Sequence, residues 1–186
     1  MVKRRINPNK ILIDRSKLDR NQLIAEASTG NMYYAWLIVM PSLLSRGEKT
    51  KEEIVELWQA VNEYIDAPDM TGERLNRELQ SIQAFLDCPT PYPNLSMEKV
   101  HTRADLSSIQ KKLRKNALHA AICIIAIGMN ATGKYSLEEL QSIFFDTDLT
   151  LAEIENGCTT YEDLTAELAR HDISISEDLT CMEIKD

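Results

Sequence analysis

Apolar residues recur along most of the chain at intervals of three and four, the period of helices that bury one face. Leu18, Leu23, Ile24 and Ala27 predict a first helix, with Asp14 or Ser16 as its cap and Gly30-Asn31 as a break or kink. A more apolar helix follows from Met32 to Ser45, with Pro41 inside the pattern as a kink or boundary. Thr50-Lys-Glu-Glu53 is a capping box, in which hydroxyl and carboxylate satisfy the first free amides of a helix. Ile54, Leu57, Trp58 and Val61 form its apolar stripe. Asp69 or Thr71 opens a further helix with Leu75, Leu79, Ile82 and Phe85 inward.

Cys88-Pro-Thr-Pro-Tyr-Pro-Asn94 interrupts this pattern, because alternate prolines stiffen an extended connector and exclude helix. Beyond it Leu106, Ile109, Leu113, Leu118, Ile122, Ile125 and Met129 return to helical spacing. Ser136-Leu-Glu-Glu139 is a second capping box, ahead of Leu140, Ile143 and Phe144. Thr150-Leu-Ala-Glu153 reads as a third box opening an extra short helix, with Asn156-Gly157 as its stop. Thr160 caps a last helix through Leu164 and Leu168. Ile173-Ser-Ile175 reads as a short extended piece, and the tail from Ser176 as loosely ordered.

The order of elements suggests one unit written twice. Gly47 to Trp58 aligns with Gly133 to Phe144, 86 positions later, and the same spacing carries Ala35 onto Ala121 and Ile38 onto Ile124. Thr71 to Leu79 aligns with Thr160 to Leu168 at a spacing of 89, an insertion of three residues. The expected fold is therefore all-α: two pseudo-repeated three-helix units packed together. Residues 1–88 form the first unit with a basic arm, 89–95 the Pro-rich linker, and 96–186 the second unit with an acidic end.

The 186 residues suffice for a proper core, and 44% hydrophobic with 27% charged residues is a globular composition. The longest apolar stretch, Met32 to Leu44, is shorter than the roughly 20 residues of a membrane span. The N-terminus lacks the apolar core of a signal peptide, so a cytoplasmic location is expected. Cys88, Cys123, Cys158 and Cys181 form no C-x-x-C pair and lie near no matched histidine among His101, His119 and His171. Neither a zinc site nor any cofactor is expected, and Cys123 reads as a reduced thiol packed as a small hydrophobe. Charge is uneven: residues 1–20 hold seven Lys/Arg and two Asp, while 146–186 hold twelve Asp/Glu and two Lys/Arg. The acidic end repels nucleic acid and favours basic partners.

Gly128-Met-Asn-Ala-Thr-Gly-Lys134 has the outline of a phosphate-binding loop. Tyr135 stands where a magnesium-ligating hydroxyl belongs, and no strand–helix alternation follows. Gly133 is better read as a helix terminus with positive φ. Asp146-Thr-Asp148-Leu-Thr150 resembles the start of a calcium loop, but Leu151 and Gly157 occupy the positions that need glycine and glutamate. Trp36, Trp58, Tyr33 and Tyr34 read as core or inter-repeat packing, Tyr161 as more exposed, and His119 as a satisfied core histidine. The glutamate pairs Glu52/Glu53 and Glu138/Glu139 are explained by the caps, and no catalytic constellation emerges. Lys3, Arg4, Arg5 and Lys10 in the arm, with Lys111, Lys112, Arg114 and Lys115 on a helix, are candidate phosphate contacts.

Asn7-Pro8, Tyr34-Ala-Trp-Leu-Ile38, Gly47, Leu57-Trp58 with Val61-Asn62, and Leu75 with Glu78-Leu79 make a pattern. It resembles a group of small helical accessory proteins from phages and mobile elements of Gram-positive bacteria. The second half matches it through Ala117-Leu118, Gly133, Leu140, Phe144, Asp163-Leu164 and Glu167-Leu168, but has Thr147-Asp148 in place of the Val-Asn pair and no Asn-Pro opening. The resemblance carries over no catalytic residues. It implies a non-enzymatic inhibitor or modulator of a host protein, such as an anti-CRISPR protein acting on a Cas nuclease or another nucleic-acid-handling protein. Asp146, Asp148, Glu153, Glu155, Glu162, Asp163 and Glu167 would then form the partner-binding acidic face. The alternative is a regulator that binds nucleic acid through the basic arm and Lys111–Lys115.

Overall fold

The computed structural model describes residues 12–14, 19–28, 30–46, 49–83, 100–176 and 182–184. Among these the chain is all-α apart from one small hairpin. The helices are α1 (Arg20–Ser28), α2 (Asn31–Ser45), α3 (Lys51–Ile65), α4 (Gly72–Gln83), α5 (Arg103–Ala131), α6 (Leu137–Asn156) and α7 (Tyr161–Arg170). The strands β1 (Ile173–Ile175) and β2 (Met182–Ile184) pair antiparallel, with Ser174 opposite Glu183.

The ends of these helices follow local chemistry. The boxes at Thr50, Ser136 and Thr160 are all formed. A further one, Thr102 with Asp105, opens α5. The first helix is capped by Asp19, whose Oδ1 accepts from the Asn21 amide at 2.8 Å, not by Asp14. Asp14 belongs instead to a segment held on the mouth of α5, where the Ile13 amide donates to the His101 carbonyl at 3.2 Å. Gly30 at φ 75 separates α1 from α2, and Gly133 at φ 65 ends the turn after α5.

Other expectations are corrected. Pro41 is no boundary, for helix α2 runs on through it; its missing N–H costs one bond in a helix otherwise held by burial of Trp36, Leu37, Ile38, Val39 and Met40. Thr150 opens no helix. It lies inside the 20-residue α6, and its hydroxyl donates back to the Asp146 carbonyl at 3.1 Å, because the stripe Leu140, Ile143, Phe144, Thr147 and Leu151 continues unbroken past it. The tail is partly ordered, since Met182 is buried where β2 meets β1 and α3. Cys123 is disulfide-bonded rather than a packed thiol, for spacing along the chain does not tell which sulfurs folding brings together. Cys158 is free and exposed. Ser16, Leu18, Gly47, Phe85, the Pro-rich segment and the arm residues Lys3, Arg4, Arg5 and Lys10 lie outside the described residues.

Packing is reciprocal between the halves. Helices α2 and α5 lie against each other at the centre. Outward, α2 packs mainly on α6 and α7, while α5 packs mainly on α3, α1 and α4. Each central helix is thus covered by the outer helices of the other half, and one apolar cluster runs from Ala35 to Met182 through both. The outer helices approach closely where the side chain is smallest. A Cβ on Gly128 of α5 would come within 2.6 Å of Val61 Cγ1 on α3. Eighty-six positions away from this pair stand Ser42 on α2 and Thr147 on α6, and both are buried. The halves differ in length: α5 has 29 residues against 15 in α2, and α6 has 20 against 15 in α3. Helix α1 packs on α5 through a separate apolar cluster, with Leu23 and Ala27 against Leu113.

Candidate functional site

Two features stand apart from the folding logic: the outer face of α6 and a cleft where five helices meet. On α6 the buried stripe ends at Phe144, which is 6% exposed, while its neighbour Phe145 is 64% exposed. Leu149, one turn on, is 52% exposed on the same side. A helix turns 3.6 residues per revolution, so residues seven apart share a flank. Asp148 and Glu155 run along one side of the Phe145–Leu149 pair, and Asp146 and Glu153 along the other.

These four acids are partly engaged by the protein itself. Asp146 pairs with Arg46, which also donates to Ser142 Oγ at 2.8 Å. Glu155 pairs with Lys115 at 2.6 Å, and that bond holds its carboxyl below the usual range. Glu153 accepts from the Thr159 hydroxyl at 3.2 Å. The remaining predicted acids sit on α7. Asp163 completes the Thr160 cap, whose hydroxyl and amide hold its pKa low. Glu167 pairs with Arg170 and lies 3.5 Å from His171 Nε2, and Glu162 is exposed. The acidic residues are thus divided between two helices, and most have structural duties.

Lys111, Lys112, Arg114 and Lys115 are all exposed on α5, with Leu113 turned inward. The start of α5 is also where the chain after the basic arm is held, through the Leu12–Thr102 bridge.

The cleft encloses ≈ 580 Å³ and is lined from α1, α2, α5, α6 and α7. Its apolar wall is Ala27, Leu118, Leu151 and Ile154. Tyr34 and Tyr161 close one side with ring centroids 4.5 Å apart, and burial beside Tyr34 raises the Tyr161 pKa. Glu26, Asn31, Arg114, Lys115, His119 and Glu155 supply its polar groups. His119 corrects the expectation of a satisfied core histidine: it is half-buried, lines the cleft, and makes no hydrogen bond among the described residues. Burial chiefly holds its imidazole below the ordinary 6.5; Asp148 and Glu155 oppose that shift and Lys115 adds to it. Tyr161 is half-buried.

The glycine-lysine motif makes no phosphate loop, since Gly128 is buried inside α5 and the turn holds only Thr132 to Ser136. At the spacings of 86 and 89 read from the sequence, Tyr34 falls on Ala120 and Tyr161 on Gly72. The described residues contain no group of three or more potential metal ligands and no helix long and apolar enough to cross a membrane. No family model, curated protein or solved structure matches the chain.

Proposed function

We propose that the chain is a non-enzymatic binding module that docks on a host protein through the outer face of α6. The observation that carries this reading is the exposed Phe145–Leu149 pair between two acidic rows. A solvated helix face has no need of an exposed phenylalanine, whereas an aromatic anchor ringed by polar groups is the usual form of an interface hot spot. The flanking carboxylates select a partner whose apolar pocket has a basic rim. Nucleic-acid-handling proteins carry such basic surfaces, and the resemblance to phage and mobile-element accessory proteins suggests a defence nuclease, with inhibition by occlusion in the anti-CRISPR manner. The test is affinity capture from a bacterial host lysate with the parent chain and with Phe145→Asp/Leu149→Asp. Loss of one specific, basic captured protein, with an unchanged circular dichroism spectrum, is the expected result. Equal capture by both chains would sink the assignment, and a concentration-dependent dimer abolished by the same variant would show that the face meets its own copy.

A second reading rests on the exposed Lys111, Lys112 and Arg114 on α5, the helix at whose start the chain leaving the basic arm is held. It is nucleic-acid binding by a phosphate-contacting patch. It predicts retardation of duplex or single-stranded nucleic acid that weakens steeply with salt, and is lost in Lys111→Glu/Lys112→Glu.

A further inference from the structure

We propose that the five-helix cleft is a binding site for a small aromatic anion, separate from the α6 face. A hollow of ≈ 580 Å³ falls in the range of small-molecule sites, and its mix of lining groups is theirs: mostly apolar wall with a few polar groups. The apolar residues Leu118, Leu151 and Ile154 offer a surface for a flat ring, and the Tyr34–Tyr161 pair offers aromatic contact at its edge.

Charge at the rim decides what else the ligand carries. Lys115 is neutralised by Glu155, while Glu26 on the α1 side keeps its negative charge, the neutral Gln22 amide donating to it at 2.9 Å. Arg114 is exposed, lines the cleft, and has no ion pair among the described residues. Lys111 stands close enough to act on the Glu155 carboxylate, so the basic side of the rim is the α5 side, with Arg114 as its unpaired cation, and Glu26 faces it from α1. A planar guanidinium beside an apolar slot is suited to a carboxylate, sulfonate or phosphate on an aromatic body. His119, which makes no hydrogen bond among the described residues, supplies a further donor or acceptor within the cleft.

The experiment uses two fluorescent probes of nearly the same shape, 8-anilinonaphthalene-1-sulfonate and its uncharged analogue N-phenyl-1-naphthylamine, titrated into the full chain at pH 7.5. The expected result is one sulfonate bound per chain, with a shift of the His119 ring signals and none at His101 or His171. Arg114→Gln, at an exposed position, should weaken the sulfonate about tenfold and leave the neutral probe unchanged. Ile154→Trp, at a partly buried position of the wall, should displace both while the melting temperature stays near that of the parent. Three outcomes would overturn the site: no binding of either probe at millimolar concentration, equal binding of both with no response to Arg114→Gln, or loss of binding in Phe145→Asp instead of the cleft variants.

Discussion

Helices α3 and α6 bury matching positions and expose different ones. Inward, Ile54, Leu57, Trp58 and Val61 on α3 stand 86 positions from Leu140, Ile143, Phe144 and Thr147 on α6, and all eight are buried. Outward, α3 shows Gln59 and Glu63, whereas α6 shows Phe145 and Leu149. The inner likeness is the requirement of lying against a central helix. The outer difference has no such requirement behind it, and so separates what folding needs from what remains to be used.

The adjacent phenylalanines test that separation most severely. Phe144→Ala should cost about 3–5 kcal/mol of stability, the usual effect of emptying a core aromatic site. Phe145→Ala should change it by no more than about 0.5 kcal/mol, as exposed sites do. Chemical denaturation of the two variants measures both, and a large loss at Phe145 would end the distinction between faces. Next comes the crossing of α5 with α3. Gly128→Ala places a methyl group against Val61, and overpacking of this kind costs about 1–3 kcal/mol. Adding Val61→Ala should recover part of that loss; strictly additive effects would show that the contact is not the cause.

A smaller effect is expected at the caps. Thr50→Ala and Ser136→Ala should each destabilise by about 1 kcal/mol, and by similar amounts, because both boxes satisfy the same amides in the same geometry. Unequal losses would show that the inner faces are less alike than their burial. The smallest effect is a pH slope. The His119 pKa is lower in the folded chain than its ordinary 6.5, so below that pH the unfolded chain takes up a proton that the folded chain refuses. Stability should therefore be full above pH 6.5 and fall as pH drops through the lowered value. The groups set against this imidazole are Glu26 on α1, Tyr34 on α2, Arg114 and Lys115 on α5, Asp148 and Glu155 on α6, and Tyr161 on α7. His119→Gln should flatten the slope between pH 6.5 and the range where Asp105, Glu139 and Asp163, held low by their cap hydrogen bonds, begin to titrate.

Helix type and most helix starts were legible because capping boxes and apolar stripes are local codes. Thr150 misled because a threonine followed three residues later by glutamate looks the same whether its hydroxyl caps a new helix or bonds back within an old one. Phe145 was legible in principle: the stripe through Phe144, Thr147 and Leu151 leaves it on the wrong side to be buried. The cleft was not, since Glu26, Tyr34, Arg114, Glu155 and Tyr161 come from five helices and meet only through packing. The acidic run of the last quarter looked like one surface, but composition does not reveal that Asp146 would be held by Arg46 or Asp163 by its own cap.

The crossed packing of α2 and α5 has a consequence for how the molecule is assembled. A chain cut between residue 83 and residue 100 yields two pieces, each with its central helix bare and its outer helices lacking the surface they cover. Neither piece is a minimal protein. Mixed together, the pieces should restore the native helix signal, with a yield that depends on both concentrations. By the same geometry, two intact copies can trade halves without losing any native contact between the exchanged elements, so crowded refolding is a route to an interlaced pair.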